Sequence, residues 1–269
     1  MEHARVEESL NTVTMRAPKN PVLLYAFNSL KRVRLLLRPL GPVLRVVFDM
    51  AAAGCFALNK LVSSSYRKLW PVLGIHWFDH DFDHLFGPSW NKWTERGTWA
   101  NRYIKPTDTV LDVACGDGSY SGNYYSQCAA HVDAFDYDEK AIATARRKHK
   151  KQNVSFFLAD ATQLALPRRY EVILFFASIE HFSVEDGSRL LQKLGDALMP
   201  GGVLFGSTPI FAEIGGHNEE HQNEFLSVEQ LRNFLAPHFE KVELWSSEWL
   251  GRVDCYFECR CPRVLSRGD

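Results

Sequence analysis

The chain has 269 residues, 46% of them hydrophobic, which is enough to bury a full core and excludes an intrinsically disordered protein. A formal net charge of −1 points neither to nucleic acid nor to an acidic tail, but the charge is unevenly spread. Residues 1–70 hold eleven Lys and Arg against four Asp and Glu, a net of +7, so the remainder carries −8, and the basic part suggests contact with a membrane surface or a nucleic acid.

The first predicted helix is "LKRVRLLLRPL". It sets Lys31, Arg34 and Arg38 on one side and Val33, Leu36, Leu37 and Leu40 on another, and Pro39, Gly41 and Pro42 end it. A second helical run, "VLRVVFDMAAAGCFALNKLVSSSYRKLW", follows. Its longest uncharged stretch, Met50 to Leu58, is short of the about 20 residues that span a bilayer, so no crossing is expected. The basic, amphipathic pair either caps the rest of the protein or lies on an anionic membrane. No signal peptide opens the chain, and the six cysteines show no framework spacing, so a cytoplasmic, reducing home is expected.

Aromatic density then peaks in "GIHWFDHDFDHLFGPSWNKWTERGTWANRY". Trp77, Phe78, Phe82, Phe86, Trp90, Trp93, Trp99 and Tyr103 form a lining able to close over a ligand, or a hinge for the helices before it. Residues 1–100 therefore read as a basic helical extension with an aromatic lid, and 101–269 as a second domain.

From residue 100 on, "TVLDVA", "HVDAFD", "VSFFLAD", "YEVILFFA", "GGVLFGST" and "KVELWSS" are near-continuous apolar runs. Helical stretches such as "DEKAIATARRKHKK" and "VEDGSRLLQKLGDALM" separate them. Strands without alternation are buried on both faces, which predicts an α/β fold with helices covering a mostly parallel sheet. In "CYFECRC" the residues Cys255, Phe257, Cys259 and Cys261 share parity, so a buried strand face is expected and no metal site.

The most informative stretch is "VLDVACGDGSYSG", Val110 to Gly122. Gly116 and Gly118 suit a backbone that meets a ligand closely, and Asp136 lies 20 residues after Gly116, where an acid can accept ribose hydroxyls. A nicotinamide dinucleotide fits so far. Asp112 and Asp117 oppose it, because a pyrophosphate would meet like charge there. S-adenosylmethionine carries a sulfonium and an ammonium and no phosphate, so the acids suit its cations.

At these residues the chain resembles the class I S-adenosylmethionine-dependent methyltransferases, in particular the small-molecule branch similar to ubiquinone-biosynthesis enzymes. The resemblance runs from about Tyr103 to Ser247, through "VLDVACGDGSYS", "VDAFDYDEKAI", "FFLADATQLAL", "YEVILFFASIEHF" and "LMPGGVLFGST" in order. It implies a Rossmann-like seven-stranded sheet with the last strand antiparallel. It also implies a cofactor set of Asp112, Ala114, Gly116, Gly118, Asp136, Tyr137, Asp160, Ala161 and Phe176, with Asp160 meeting the adenine amino group. Ala114 stands where glycine is more usual, and is expected to be tolerated because no positive φ is expected there.

Methyl transfer to a hydroxyl needs a proton acceptor at the carboxyl ends of the strands. His181 in "SIEHF", and His217 and His221 in "EIGGHNEEHQNEF", are the candidates, with Glu180 and Glu220 beside them. The expected acceptor is a small molecule such as a sugar, glycan precursor, lipid-linked intermediate or aromatic product. A nucleic acid is not expected, since the amine-methylating "NPPY"-type motif is absent after the fourth strand and this part is acidic. The competing reading is a non-catalytic module that keeps the fold; such a module is expected to lose the glycines or Asp136, which this chain retains.

Overall fold

The computed structural model describes residues 38–73, 90–211, 220–249 and 251–263, and the chain divides into two compact units, 1–62 and 63–269. Of the aromatic stretch, Trp77, Phe78, Phe82 and Phe86 lie outside the described residues, as does His217.

Helix α1, Gly41–Leu73, is preceded by a 3-10 turn at Arg38–Leu40. Val43, Val46, Val47, Phe48, Met50, Phe56, Leu58 and Leu61 on it are all exposed. By length and composition alone, Gly41–Val62 is long and apolar enough to cross a membrane, a longer stretch than the uncharged run Met50 to Leu58. The reason is local: Arg45 and Asp49 pair one turn apart at 3.7 Å, so two charges sit in the apolar window without ending the helix.

The second unit is built on one seven-stranded sheet: β1 Thr109–Val113, β2 His131–Asp136, β3 Val154–Leu158, β4 Tyr170–Phe176, β5 Leu198–Ile210, β6 Phe239–Trp249 and β7 Arg252–Pro262. Their order is β3-β2-β1-β4-β5-β7-β6. β1 to β5 pair in parallel, and β7 runs antiparallel to both β5 and β6. This is the sheet that the apolar runs and the resemblance lead one to expect.

Alternate residues feed two cores. Leu111, Val113, Ile173 and Phe175 point to one face, which α5 (Val184–Asp196) and α6 (Val228–Leu235) cover with Leu190, Leu191, Leu194, Leu231 and Leu235. Val110, Val172, Leu174 and Phe205 point to the other, against Ala100 of α2 (Trp90–Asn101) and Ile142 of α4 (Glu139–Lys148). A short helix, α3 (Ser119–Asn123), follows β1. Ser183 and Asp138 start α5 and α4 by accepting backbone N–H groups, the usual work of such residues at helix N-termini.

Trp99 and Tyr103 of the expected aromatic lining pack onto the sheet: Trp99 lies 5.3 Å from Trp245, and Tyr103 lies 4.6 Å from Phe205 while its hydroxyl donates to Glu258 at 2.7 Å. The cysteine strand departs from expectation at one residue. Cys255, Phe257 and Cys259 are buried, but Cys261 has φ 54, which breaks the alternation and turns it out to solvent.

Between β1 and β4 the chain order reverses direction across the sheet, since β2 and β3 lie on one side and β5 on the other. In open α/β sheets such a switch point opens a crevice at the carboxyl ends of the strands. Its two lips here are the glycine loop after β1 and the turn after β4.

Candidate active site

The first lip is held by its own backbone. Cys115 N–H donates to the Phe135 carbonyl at 2.9 Å, and Gly116 N–H donates to Asp136 Oδ2 at 2.8 Å, so the end of β2 braces the loop after β1. Gly116 and Gly118 have φ 56 and 73, left-handed conformations open to glycine without strain. A Cβ on Gly118 would also fall 2.5 Å from the Phe156 ring, so this turn closes only with glycine. Ala114 is a correction: its φ is 56, so the position demands the conformation that was not expected, and its methyl stores about 1–2 kcal/mol of strain there.

Asp136 is 7% exposed, and its other oxygen, Oδ1, accepts from Asp138 N–H at 2.9 Å. Burial raises its pKa, while the bonds from Asp138 and Gly116 oppose the rise. Two carboxylate oxygens offer about four lone-pair sites, so hydroxyls can be accepted in addition. Tyr137 beside it is 79% exposed.

The two loop acids have different surroundings. Asp112 is buried, accepts from the Ser121 hydroxyl, and is pushed by burial up to about 7. Asp117 has no exposure, accepts from Ser119 N–H, and lies 3.4 Å from Lys148 of α4, which places its charge against a protein cation.

Asp160 follows β3 and is exposed; it accepts from Thr162 N–H at 2.8 Å and from the Thr162 hydroxyl. Ala161 and Phe176 are buried, and Phe176 stacks on Tyr120 of α3 at 6.1 Å. The expected cofactor residues therefore stand at the ends of β1, β2, β3 and β4.

The second lip carries Glu180 and His181 on a 3-10 turn, Ile179–His181, directly after β4. The strand end hands over through Ala177, whose φ is 45 and whose N–H donates to the Ser207 carbonyl. Gln222 and Asn223 N–H groups both donate to the Glu180 carbonyl, at 2.9 and 3.0 Å, and so bring the segment after β5 back to this turn. The result joins two residues 40 apart in sequence: the rings of His181 and His221 meet edge to face at 4.7 Å. Glu180 is 2% exposed, accepts from the Thr208 hydroxyl at 2.9 Å, and has its pKa raised by burial. His181 Nδ1 lies 3.3 Å from the Glu220 carbonyl, and His221 Nδ1 lies 3.4 Å from Glu224. Burial, and next the neighbouring His181, lower the pKa of His221, which holds its imidazole neutral near pH 7.

Chemically, the trio can accept a proton or hold a cation. Glu180, His181 and His221 each bring a ligand-type atom within 4.8 Å of the others, a grouping that could hold a metal ion after modest closure, given about 3.4 Å between ligands around a tetrahedral zinc. A cavity beside Asn223, Phe225, Gln230 and Phe234 touches this trio at His221.

Sequence reasoning missed the residues that α2 brings to the same edge. Lys92 Nζ and Arg96 Nη2 lie 3.0 and 3.5 Å from Asp254 Oδ2, and the Tyr120 hydroxyl donates to the Trp93 carbonyl. Asp254 pairs with Pro209 in the ladder, just past the carboxyl end of β4. No local spacing announces a contact between residues 92 and 254; the surplus of cations on a short aromatic helix was the one available sign.

Residues 110–202 match the protein family described as a methyltransferase domain. The chain is 32% identical over 123 residues to a probable S-adenosylmethionine-dependent methyltransferase of Mycobacterium tuberculosis, covering 44% of this chain and 43% of that protein. It is 29% identical over 102 residues to a malonyl-[acyl-carrier protein] O-methyltransferase of Bacillus anthracis, covering 37% and 36%. The chain thus spans less than half the length of the curated relatives it matches. Among solved structures, DhpI in its SAM–HEP complex superposes with a TM-score of 0.53 at 18% identity, over 76% of this chain and 95% of that one.

Proposed function

We propose that this chain, which carries a class I S-adenosylmethionine-dependent methyltransferase domain, is an enzyme that transfers the methyl group of S-adenosylmethionine to a hydroxyl of a small molecule. The cofactor is S-adenosylmethionine. Asp112, Ala114, Gly116, Gly118, Asp136, Tyr137, Asp160, Ala161 and Phe176 are assigned to it, with Asp136 on the ribose and Asp160 on the adenine. The observation that carries the acceptor chemistry is the His181–His221 pair, which joins the turn after β4 to the segment after β5.

In the reaction a C–O bond forms as the C–S bond of the sulfonium breaks, in line. The cofactor leaves as neutral S-adenosylhomocysteine, and the hydroxyl proton passes to an imidazole. His221, held neutral by burial, can take that proton, and His181 on its rigid turn stands ready for the same role. His217 keeps its candidacy as a base from its place in the sequence. Most of the rate comes from holding the two reacting atoms together in a dry crevice.

The test is S-adenosylhomocysteine production by the purified protein against glycan and lipid extracts, repeated in His181→Ala, His217→Ala and His221→Ala. Loss of a base is expected to lower turnover by about 10²- to 10⁴-fold with cofactor affinity unchanged. Full turnover in all three variants would remove histidine from the mechanism. A chelator is expected to leave turnover intact; loss on chelation with recovery on adding a divalent cation would turn the trio from proton acceptors into metal ligands.

The basic extension is assigned a peripheral contact with anionic membrane on the cytoplasmic side. Its support is the net charge of +7 over residues 1–70 and the exposed apolar residues of α1.

A further inference from the structure

At the crevice edge, three cations surround one carboxylate. Asp254 is 4% exposed; Lys92 Nζ lies 3.0 Å and Arg96 Nη2 3.5 Å from its Oδ2, and Arg252 Nε lies 3.0 Å from its Oδ1. Lys92 is 7% exposed and Arg96 2%. One carboxylate thus faces three basic side chains, two of them buried and the third, Arg252, half-exposed.

Other groups also face these side chains. Glu95 accepts from the Ser247 hydroxyl at 2.9 Å. Burial works against the Arg96 guanidinium, yet Tyr120, Asp254, Tyr256 and Glu180 together raise its pKa, and burial pushes the Glu180 carboxyl toward the neutral form. Arg96 bonds the Tyr120 side chain and its Nη2 faces Asp254, while its Nε makes no hydrogen bond, although a buried guanidinium ordinarily uses its whole fork of donors. Trp93 covers both cations from one side, 5.0 Å from Lys92 Nζ and 5.0 Å from the Arg96 guanidinium. Burial, and next Arg96, push the Lys92 ammonium down to about 7, while Asp254 opposes the fall.

We propose that Lys92, Arg96 and Arg252 receive an oxyanion, a carboxylate or phosphate carried by the methyl acceptor, at the edge of the crevice. The inference rests on the methyltransferase reading and narrows its acceptor to an anionic small molecule. Asp254 then orients the cations, the oxyanion supplies a second negative charge, and the acceptor hydroxyl extends toward His181 and His221. Arginine forks bind such groups through two parallel bonds, so the site fixes the direction of the acceptor as well as its charge.

The experiment is calorimetric titration of the full chain with methyl phosphate and with acetate, at fixed ionic strength with chloride as the control. Saturable binding of one oxyanion above the chloride control is expected, and the tighter arm names the group. Lys92→Met and Arg252→Gln are each expected to weaken it by about tenfold or more, with the affinity for S-adenosylmethionine unchanged. Arg252 is half-exposed, so its variant keeps the test intact if Lys92→Met fails to fold. No saturable binding by the wild type, or equal binding in both folded variants, would overturn the proposal. Failure to bind S-adenosylmethionine in the same titrations would instead strike the methyltransferase reading, which separates the two.

Discussion

At the scale of single residues, Asp112 would give the proposed cofactor site a proton to exchange. Burial holds its carboxyl near 7, so below that pH it is largely protonated, and the stability it contributes as the neutral acid is lost as pH rises through about 7. A cation placed against it pulls the pKa down. Binding of S-adenosylmethionine between about pH 6 and 7 is therefore expected to release a proton, and the calorimetric binding enthalpy then changes with the ionisation enthalpy of the buffer. A buffer-independent enthalpy across that range would take Asp112 away from the cationic end of the cofactor. Asp117 makes the opposite case, since Lys148 already neutralises it inside the protein.

At the scale of elements, β5 is the strand that tolerates least change. Gly206 faces the Phe175 carbonyl of β4, and a Cβ built there would lie 2.0 Å from that oxygen and 2.4 Å from the Phe257 ring. Neither the ladder nor a ring packed at zero exposure can yield, so Gly206→Ala is expected to cost about 3 kcal/mol or more in denaturant unfolding. Gly201, on the same strand with φ 80 and open space around it, is expected to lose only about 1–2 kcal/mol as alanine. Equal losses would mean that the close packing at Gly206 does not govern the strand. The strands themselves were legible because parallel strands covered on both faces must be continuously apolar, as "YEVILFF" is. The left-handed φ of Ala114 and Cys261 was not legible, because a turn's dihedral is imposed by what braces it, here the end of β2 for the glycine loop. Likewise "SIEHF" pointed to His181, while its meeting with His221 depended on the hydrogen bonds from Gln222 and Asn223 to Glu180.

At the scale of the whole molecule, a basic N-terminal part precedes an acidic remainder in the sequence, and the role of the first part is tested on α1. If residues 1–70 contact anionic lipid through charge, flotation with phosphatidylglycerol vesicles is expected at low salt and release at high salt, because screening shortens the reach of each cation. Flotation that high salt does not reverse would mean that the 22-residue window Gly41–Val62 inserts into the hydrocarbon, and no flotation at all would leave the helices without a lipid role. The central claim concerns the other part: a loop that turns at Gly116 and Gly118, braced by Asp136, to hold a cation-bearing nucleoside. Calorimetry of the full chain with S-adenosylmethionine and with NAD tests it most directly. Binding of S-adenosylmethionine alone is predicted, weakened by about 2–4 kcal/mol in Asp136→Ala as a pair of charge-assisted hydrogen bonds is lost. Tight binding of NAD, or no binding of S-adenosylmethionine by the wild type, would contradict it.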